Sequence, residues 1–578
     1  MAKKKTRKKP TTRKTPARKK GAAKTTSKKR GSHKVSRAKA PAGGAREISV
    51  AEFFEKNRHM LGFDSPSKAL LMTVKEAVDN SLDACEDANI LPEILVKIES
   101  TGGRTYRVTV EDNGPGIAEA QIGKIFGKLL YGSKFHKLSQ SRGQQGIGIS
   151  AAGMYGKLTT GKPVVVRTRR KRHKPVRCSL TIDTTHNRPE IHESKTCSWT
   201  KKHGTRVEIE MEATYMKGAR SVDMYLKQTA IANPHLTLRY EPPGADDPPV
   251  VYERNSREKP ARPVEIKPHP HGVELGRLIA MLKETSCRSL SGFLQEEFSR
   301  VGPTMARRII AAAGKGLTEK SYPTRIAREE ASHLHSAIAE TRISAPPTDC
   351  IAPIGEALLL KSLRKELEAD FYITSARPAA VYRGNPFQIE VGIAYGKPGG
   401  VGLELTETGR IKKRKRTVEP NDLVAHADEP TRVLRLANRV PLLYQQSACA
   451  ITKSIIQTNW RSYGLSQPRG ALPVAPMAVL VHIASVWVPF TSESKEAIAS
   501  YPEIIKEVKL GLQECGRKLA THIRKGQRLK REHEKREYIE KYIPIIGEAL
   551  QEILDLSDTE RDDAVETLDD VLHRSRKF

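Results

Sequence analysis

The 578-residue sequence is poor in aromatic residues, which make up only 5% of it, and it has no continuous apolar run of 18 residues. A helix needs about 20 mostly apolar residues to cross a bilayer, so we expect no membrane-spanning helix. The basic amino terminus lacks the apolar segment of a secretory signal. The seven cysteines are scattered and never spaced as Cys-x-x-Cys, which argues against structural zinc and a disulfide framework and favours a reducing compartment.

Acidic residues are missing from the first 46 positions, which hold 19 lysines and arginines. Such a segment cannot bury a core, so we expect residues 1–46 to be a disordered tail. A tail of this charge is suited to bind the nucleic-acid backbone without sequence preference, although a solubilising or targeting role is an alternative. The whole chain carries a net charge of +34, and the excess outside the tail also indicates a polyanionic partner.

The segment EAVDNSLDA, residues 76–84, lies in a predicted helix that Ser65 and Pro66 begin. Apolar residues recur every three or four positions and predict one buried stripe, formed by Leu70, Leu71, Val74, Val78 and Leu82. Glu76 and Asn80 fall together on the opposite face. A carboxylate there is suited to orient a water molecule, and an amide oxygen is suited to bind Mg²⁺. An ordinary solvated helix face is the alternative.

The segment EDNGPGI, residues 111–117, follows a predicted strand in which Tyr106, Val108 and Val110 alternate with polar residues. Asp112 at the strand end is placed to accept a hydrogen bond from an exocyclic amine such as that of adenine. Gly114 and Gly116 allow a flat ring to approach the backbone closely. A common Asp-Asn-Gly turn is the alternative.

A third segment, RGQQGIGIS at residues 142–150, is rich in glycine and precedes a small-residue stretch, 149–154, that is predicted to be helical. Backbone N–H groups at such a helix start are suited to bind phosphate. The pattern is not a P-loop, because no Gly-Lys-Ser/Thr follows it. A polar loop rather than a strand precedes it, which argues against a Rossmann fingerprint.

The three segments together resemble the GHKL ATPases, the group of gyrase, Hsp90, MutL and the histidine kinases. The resemblance implies that Glu76 is the general base for water, that Asn80 binds Mg²⁺ and that Asp112 binds the adenine amine. A Gly-Thr pair ahead of the predicted strand 206–211 closes the adenine pocket in this group. The nucleotide contacts implied by the resemblance are Asn80, Asp112, Gly114, Gly116, Ser133, Lys134, Gly143, Gln144, Gln145, Gly146, Ile147, Gly148, Ile149, Thr205 and Lys495.

Lys495 comes from a distant segment, in which a predicted strand, 479–488, is followed by a short loop and a predicted helix that starts near the lysine. In gyrase-like and MutL-like ATPases a second domain supplies a lysine to the γ-phosphate, and the resemblance gives Lys495 that role. A surface lysine is the alternative. Histidine kinases lack this second domain, and no histidine-bearing helix pair is evident ahead of Glu76, which disfavours the kinase group.

The fold class predicted is α/β (α+β), with five regions. After the tail come a GHKL (Bergerat-type) ATPase sandwich at 47–265, a helix–two-turns–helix domain at 266–340, an α/β transducer domain of the ribosomal-S5-like type at 341–500 and C-terminal helices at 501–578. The helical domain has a plain helical insert as its alternative. A basic run in the transducer region is a candidate DNA contact or else a solvated charge run; it comprises Arg410, Lys412, Lys413, Arg414, Lys415 and Arg416.

Five further segments, at 127–136, 268–276, 346–359, 382–396 and 438–450, resemble the B subunits of the topoisomerase VI (type IIB) family. The resemblance implies an ATPase that uses ATP and Mg²⁺, dimerises on ATP binding and forms a heterotetramer with two A subunits, to which the C-terminal region docks. Such an enzyme relaxes positive and negative supercoils and decatenates double-stranded DNA. We find no arrangement of a nucleophilic tyrosine with metal-binding carboxylates, so we expect strand cleavage on the A subunit.

Two alternatives stay open from the sequence. One is another GHKL ATPase, such as a MutL-like DNA repair protein or a chaperone. The other is a DNA-compacting protein whose ATP site is vestigial. The expected location is the cytoplasm, in association with the nucleoid, or the nucleus in a eukaryote.

Overall fold

The computed structural model describes residues 56–132, 137–143, 146–183, 186–244, 248–314, 316–396, 402–405, 411–414, 423–425, 427–492 and 494–575. Within these ranges, no helix is both long enough and apolar enough to cross a membrane. Several predictions lie outside the described residues: the tail at 1–46, Ser133, Lys134, Gln144, Gln145, Arg410, Lys415 and Arg416.

The first module is built on an eight-stranded sheet. Its strands are β1 (Glu93–Gly102), β2 (Thr105–Glu111), β3 (Val164–Arg169), β4 (Val176–Asp183), β5 (Arg188–Thr196), β6 (Gly204–Glu212), β7 (Thr237–Glu241) and β8 (Val250–Tyr252). Their order across the sheet is β5-β4-β3-β6-β2-β1-β7-β8. The strands predicted at 106–110 and 206–211 are confirmed as β2 and β6, which pair antiparallel at the centre of the sheet.

Helices cover one face of this sheet and form its hydrophobic core. They are α1 (Arg58–Leu61), α2 (Pro66–Asp87), α3 (Glu119–Gly127), α4 (Gly148–Thr160) and α5 (Val222–Ala232). α2 begins as predicted, because the Ser65 side chain accepts a hydrogen bond from the Lys68 N–H and Pro66 occupies the first turn. The predicted apolar stripe of α2 is fully buried in this core.

A small helical module follows, with its own hydrophobic core. It consists of α6 (Leu275–Glu284), α7 (Leu290–Glu297), α8 (Pro303–Ala313) and α9 (Arg328–Glu340). The helices predicted between residues 272 and 316 are therefore confirmed. Phe293 and Phe298 pack edge to face, with ring centroids 5.7 Å apart, at the centre of this core.

The second module is a mixed sheet packed against helices. Its elements are α10 (Glu356–Glu366), β9 (Phe371–Ala376), β10 (Ala380–Tyr382), β11 (Asn385–Tyr395), β12 (Gly402–Leu405), β13 (Ile411–Arg414), β14 (Arg432–Ala437), β15 (Val440–Pro441), α11 (Ala450–Gln457) and β16 (Met477–Ser485). The strand order is β10-β11-β16-β14-β15, with β9 also paired to β11. β12 and β13 form a separate antiparallel hairpin that carries the backbone of Lys412, Lys413 and Arg414.

The last described part of the chain forms α12 (Pro502–Glu540), α13 (Ile543–Leu554) and α14 (Asp558–Ser575). The first turns of α12 place Ile504, Val508 and Leu512 in the hydrophobic core of the second module. The domain boundary predicted at residue 500 therefore falls inside one shared core, because α12 is both the last helix of that module and the start of the C-terminal extension.

The first and second modules also share a hydrophobic core. Ile231 and Ala232 of α5 pack with Leu359 of α10 and Leu480 of β16 in a single buried cluster. This shared packing brings the loop that follows β16 to the open face of α2, where the candidate site lies.

Candidate nucleotide site

Glu76 projects from the middle of α2 with a lysine directly beside it. The Lys75 Nζ lies 3.0 Å from the Glu76 Oε1. Burial by itself would raise the pKa of Glu76, but the positive charges of Lys75 and Lys495 outweigh it and hold that pKa below its ordinary value. Glu76 is therefore a carboxylate at neutral pH, which is the form that can accept a proton from water.

Lys75 is itself held by a second carboxylate. Its Nζ lies 3.3 Å from the Asp79 Oδ2, and the Tyr225 hydroxyl donates to the Asp79 Oδ1 at 2.9 Å. Lys75, Asp79 and Tyr225 are all buried, so the ammonium beside Glu76 has little freedom to move. Sequence reasoning missed this group, although a lysine and an aspartate four residues apart on an apolar helix were a visible signal.

Replacing Lys75 with methionine is expected to move the acid limb of the pH–rate profile for ATP hydrolysis to higher pH. Loss of the ammonium removes a charge that lowers the Glu76 pKa, so Glu76 protonates at a higher pH and the rate begins to fall there. The measurement is kcat from pH 5 to 9. Lys97→Met, which removes a half-exposed lysine paired with Glu99, is the control, and an unshifted limb in Lys75→Met would contradict the assignment.

Asp112 lies just past β2 in a pocket of hydrogen-bond donors. Its Oδ1 accepts from the Gly114 N–H at 2.8 Å and the Thr205 N–H at 3.0 Å, and its Oδ2 accepts from the Ser81 hydroxyl at 3.1 Å. Burial raises the pKa of Asp112 in spite of the two backbone N–H bonds, which lower it. These bonds fix the orientation of the carboxyl group, which is suited to recognise a hydrogen-bond donor.

Gly116 and Gly148 lie at positions where neighbouring atoms leave no room for a Cβ atom. Gly116 has a φ of +73° and its Cβ position is occupied by the Arg169 carbonyl. A Cβ on Gly148 would overlap the Glu76 carboxylate. Gly148 is the first residue of α4, so the carboxylate rests at a helix start, where the helix dipole favours negative charge.

Gly148→Ala is expected to lower the rate of ATP hydrolysis by about tenfold or more, because the methyl group displaces the Glu76 carboxylate. Gly526→Ala is the matched control, since Gly526 lies in α12 with open space around its Cβ position. The measurement is phosphate release by both full-length variants. A Gly148→Ala protein with an undiminished rate would show that the position of this carboxylate does not limit hydrolysis.

Lys495 reaches the same site from the second module, but the helix start predicted for it is wrong. β16 ends at Ser485 and the next helix, α12, starts only at Pro502. Lys495 lies instead in a loop closed by a bridge between Phe490 and Ile498, and its φ of +53° is a left-handed conformation that helices do not use. Its Nζ donates to the Arg142 carbonyl at 3.0 Å. Burial lowers the pKa of Lys495, and Glu76 opposes that shift.

A cavity of about 520 Å³ brings these residues together. The predicted residues that line it are Glu76, Asn80, Asp112, Gly116, Gly143, Gly146, Ile147, Gly148, Ile149, Thr205 and Lys495. Gly114 is not among the lining residues, but its N–H donates a hydrogen bond to Asp112, which does line the cavity. Apolar side chains that the sequence did not single out, including Met72, Ile117 and Val207, complete a surface suited to a flat ring.

The segment ahead of the glycine run is anchored by a buried arginine. The Arg142 guanidinium contacts Asp83 at 2.9 Å, Glu86 at 2.7 and 2.8 Å and the Asn233 Oδ1 at 2.6 Å. His235 also bonds to Glu86, at 2.8 Å. Burial alone would raise the pKa of Glu86, but Arg142 and the His235 bond hold it well below its usual value.

The same segment is joined to the second module by hydrogen bonds. Gln140 bonds through its side chain to the Ala352 N–H at 2.7 Å, and its backbone N–H donates to the Cys350 carbonyl at 2.9 Å. The Asn438 Nδ2 donates to the Ser141 carbonyl at 3.2 Å. The segment that leads into Gly143, a residue that lines the cavity, is therefore tied to the second module.

Comparison with known proteins is consistent with this geometry. Residues 66–214 match the family described as "Histidine kinase-, DNA gyrase B-, and HSP90-like ATPase", and residues 346–535 match "Topoisomerase VI B subunit, transducer". The second match runs past residue 500 into α12, in agreement with the shared core. It favours the type IIB family over a MutL-like repair protein or a chaperone.

Relatives extend the match over most of the chain. The B subunit of a type 2 DNA topoisomerase 6 from Methanococcoides burtonii is 47% identical over 88% of this chain and 77% of its own length. Its namesake in Archaeoglobus fulgidus is 45% identical over 93% of this chain and 84% of its own length. At this identity and coverage, the chain belongs to the family of topoisomerase VI B subunits.

Proposed function

We propose that this chain is the ATP-binding and ATP-hydrolysing B subunit of a type II DNA topoisomerase, and that ATP drives the passage of one DNA duplex through a double-strand break made by an A subunit. The observation that supports this most is the meeting of Glu76, from α2, and Lys495, from the second module, in one cavity. A site built from both modules couples the state of the nucleotide to their arrangement. The names of the relatives, as B subunits, support a partner of a second kind.

In this proposal each group at the site has one role. Glu76 accepts a proton from the attacking water, and Asp112 accepts a hydrogen bond from the adenine amine with Thr205 beside it. The backbone N–H groups at the start of α4 hold the phosphates. Lys495 places its ammonium against the γ-phosphate and stabilises the negative charge there, because hydrolysis of this kind depends mostly on positioning and charge.

Asn80 fits a Mg²⁺ ion that ATP carries into the site. Mg²⁺ prefers oxygen ligands, and in nucleotide sites it is commonly held by one or two protein oxygens together with phosphates and water. Asn80 lines the cavity one helical turn beyond Glu76 and is exposed to it. The ion would offset phosphate charge, while Glu76 remains free to accept the proton.

The assembly that we propose is a heterotetramer of two A and two B subunits, in which two B subunits dimerise through their ATPase modules when ATP binds. The C-terminal helices are the proposed docking site for the A subunit. Ile553 and Leu554 at the end of α13 are 76% and 60% exposed, and apolar side chains this exposed in neighbouring positions favour a protein partner. The DNA contacts proposed are the basic tail and the run at residues 410–416.

The test combines two readouts on the full-length chain. ATP hydrolysis is measured with and without supercoiled plasmid and a candidate A subunit, and plasmid relaxation is scored in the same samples. We expect DNA to stimulate hydrolysis, and relaxation to occur only when both subunits and ATP are present. Hydrolysis without relaxation by the pair would contradict the topoisomerase role and leave an ATPase of another kind.

A further inference from the structure

The loop that carries Lys495, described at residues 490–492 and 494–498, is fastened to α2 by a buried ion pair. Glu496, the residue after the lysine, contacts the Lys68 Nζ through its carboxylate. Both residues are buried, with 7% of Lys68 and 5% of Glu496 exposed. Lys68 lies in the first turn of α2, the same helix that carries Glu76 and Asn80.

The other side of Glu496 is held from within the second module. Arg435, on β14, is buried and donates to the Glu496 carbonyl at 3.4 Å. It also donates to the carbonyls of Leu442 and Tyr444, at 2.8 and 2.7 Å. The Tyr444 ring lies 5.1 Å from the Lys68 Nζ, so the pair has an aromatic face beside it that favours the ammonium.

The described part of the loop is otherwise held from within the second module, where Ala497 and Ile498 are buried in the hydrophobic core. The Lys495 N–H donates to the Ser492 carbonyl at 3.0 Å, and the Thr491 N–H donates to the Ala497 carbonyl at 2.9 Å. These bonds shape the loop but do not join it to α2. The ion pair joins the loop directly to α2 at Lys68, eight residues, or about 12 Å, before Glu76. A second, indirect link runs from the Lys495 Nζ to the Arg142 carbonyl and from the Arg142 guanidinium to Asp83 and Glu86 of α2.

We propose that the Lys68–Glu496 pair is a positioning contact that holds the Lys495 ammonium at the γ-phosphate, and that Arg435 supports it from the second module. This inference rests on the proposed role of Lys495. Removal of Lys68 leaves the buried Glu496 carboxylate without its ammonium partner, which is strongly unfavourable. Removal of Glu496 leaves Lys68 to pair with the half-exposed Asp64 at the surface, away from the loop. The loop then shifts and carries Lys495 away from the phosphate.

The test compares full-length Glu496→Gln, Lys68→Met and the double variant with the unaltered chain. Each single variant is expected to lower kcat for ATP hydrolysis by about tenfold and to leave ADP affinity unchanged, since ADP lacks the phosphate that Lys495 faces. The double variant is expected to lose no more than the worse single variant, because the two residues act as a unit. Asp64→Asn removes the half-exposed second partner of Lys68, 3.2 Å away, and is expected to change kcat by less than about twofold.

Three results would overturn the proposal: normal hydrolysis by Glu496→Gln, losses that multiply in the double variant, or a matching loss of ADP affinity. Lys495→Met is measured in the same assay, so that the positioning role of the ion pair can be distinguished from the proposed role of Lys495 at the γ-phosphate. A normal rate in Lys495→Met defeats both. A low rate in Lys495→Met with a normal rate in Glu496→Gln defeats only the positioning role of the pair.

Discussion

Glu76→Gln is expected to abolish ATP hydrolysis while ATP still binds. The amide keeps the shape of the side chain but cannot take a proton from water, so kcat is expected to fall by about 100-fold or more. The nucleotide contacts proposed for Asp112 and for the backbone N–H groups of α4 use other groups, and the amide fills the same space as the carboxylate. Glu76→Ala is expected to behave in the same way. The measurements are phosphate release in a single turnover and equilibrium binding of ATP.

The control for this experiment is Glu99→Gln, which neutralises a half-exposed carboxylate on β1 that pairs with Lys97. Its rate should match that of the unaltered chain. If Glu76→Gln still hydrolyses ATP within tenfold of that rate, the base lies elsewhere. Asp83 and Asp87 also line the cavity, so Asp83→Asn and Asp87→Asn would be tested next.

Removal of residues 1–46 is expected to weaken DNA binding and to flatten its dependence on salt. The segment holds 19 of the 100 lysines and arginines of the chain and no acidic residue. Each phosphate contact that is lost reduces the slope of log affinity against log salt by about 0.9. We therefore expect at least about a tenfold loss of affinity at low salt, and a smaller loss as salt rises.

The measurement is a salt titration of duplex binding by the full-length and shortened chains. A chain of full length, in which the lysines and arginines of the tail are replaced by glutamine, separates the effect of charge from that of length. ATP hydrolysis without DNA should be equal in all three proteins. An unchanged salt slope would show that the tail does not contact DNA, and would leave the basic residues elsewhere as the binding surface.

Much of the first module could be predicted from sequence because its signals are local. The cap at Ser65, the apolar spacing of α2 and the alternation from which β2 was predicted each depend on a few neighbouring residues. The cap, the buried stripe and the strand are confirmed, although residues 108–111 of β2 are all buried and do not alternate. The glycine run also precedes a helix, as predicted. The residue types at these positions therefore located the polar groups and the glycines of the cavity, but most of its apolar lining was not predicted.

The parts that were missed depend on contacts between distant segments. Lys495 is predicted at a helix start, since its neighbours are polar and helix-forming, but a bridge between Phe490 and Ile498 holds it in a loop. The buried partners of Arg142 lie up to 91 positions away in sequence. The periodicity of apolar residues does not reveal such pairings. In the sequence pattern, a charged residue that is buried in an ion pair looks the same as a charged residue that is exposed to solvent.

The hydrogen bonds that join Gln140 and Ser141 to the second module are expected to couple ATP affinity to the arrangement of the two modules. The Lys495 bond to Arg142 belongs to the same segment, and the next residue, Gly143, lines the cavity, so a movement of the second module is expected to alter how tightly the proposed site holds ATP. Thermodynamic linkage then requires the converse by the same factor. A DNA segment that favours one arrangement of the modules would therefore change ATP affinity without contacting the nucleotide. ATP would change the affinity for that DNA segment by the same factor.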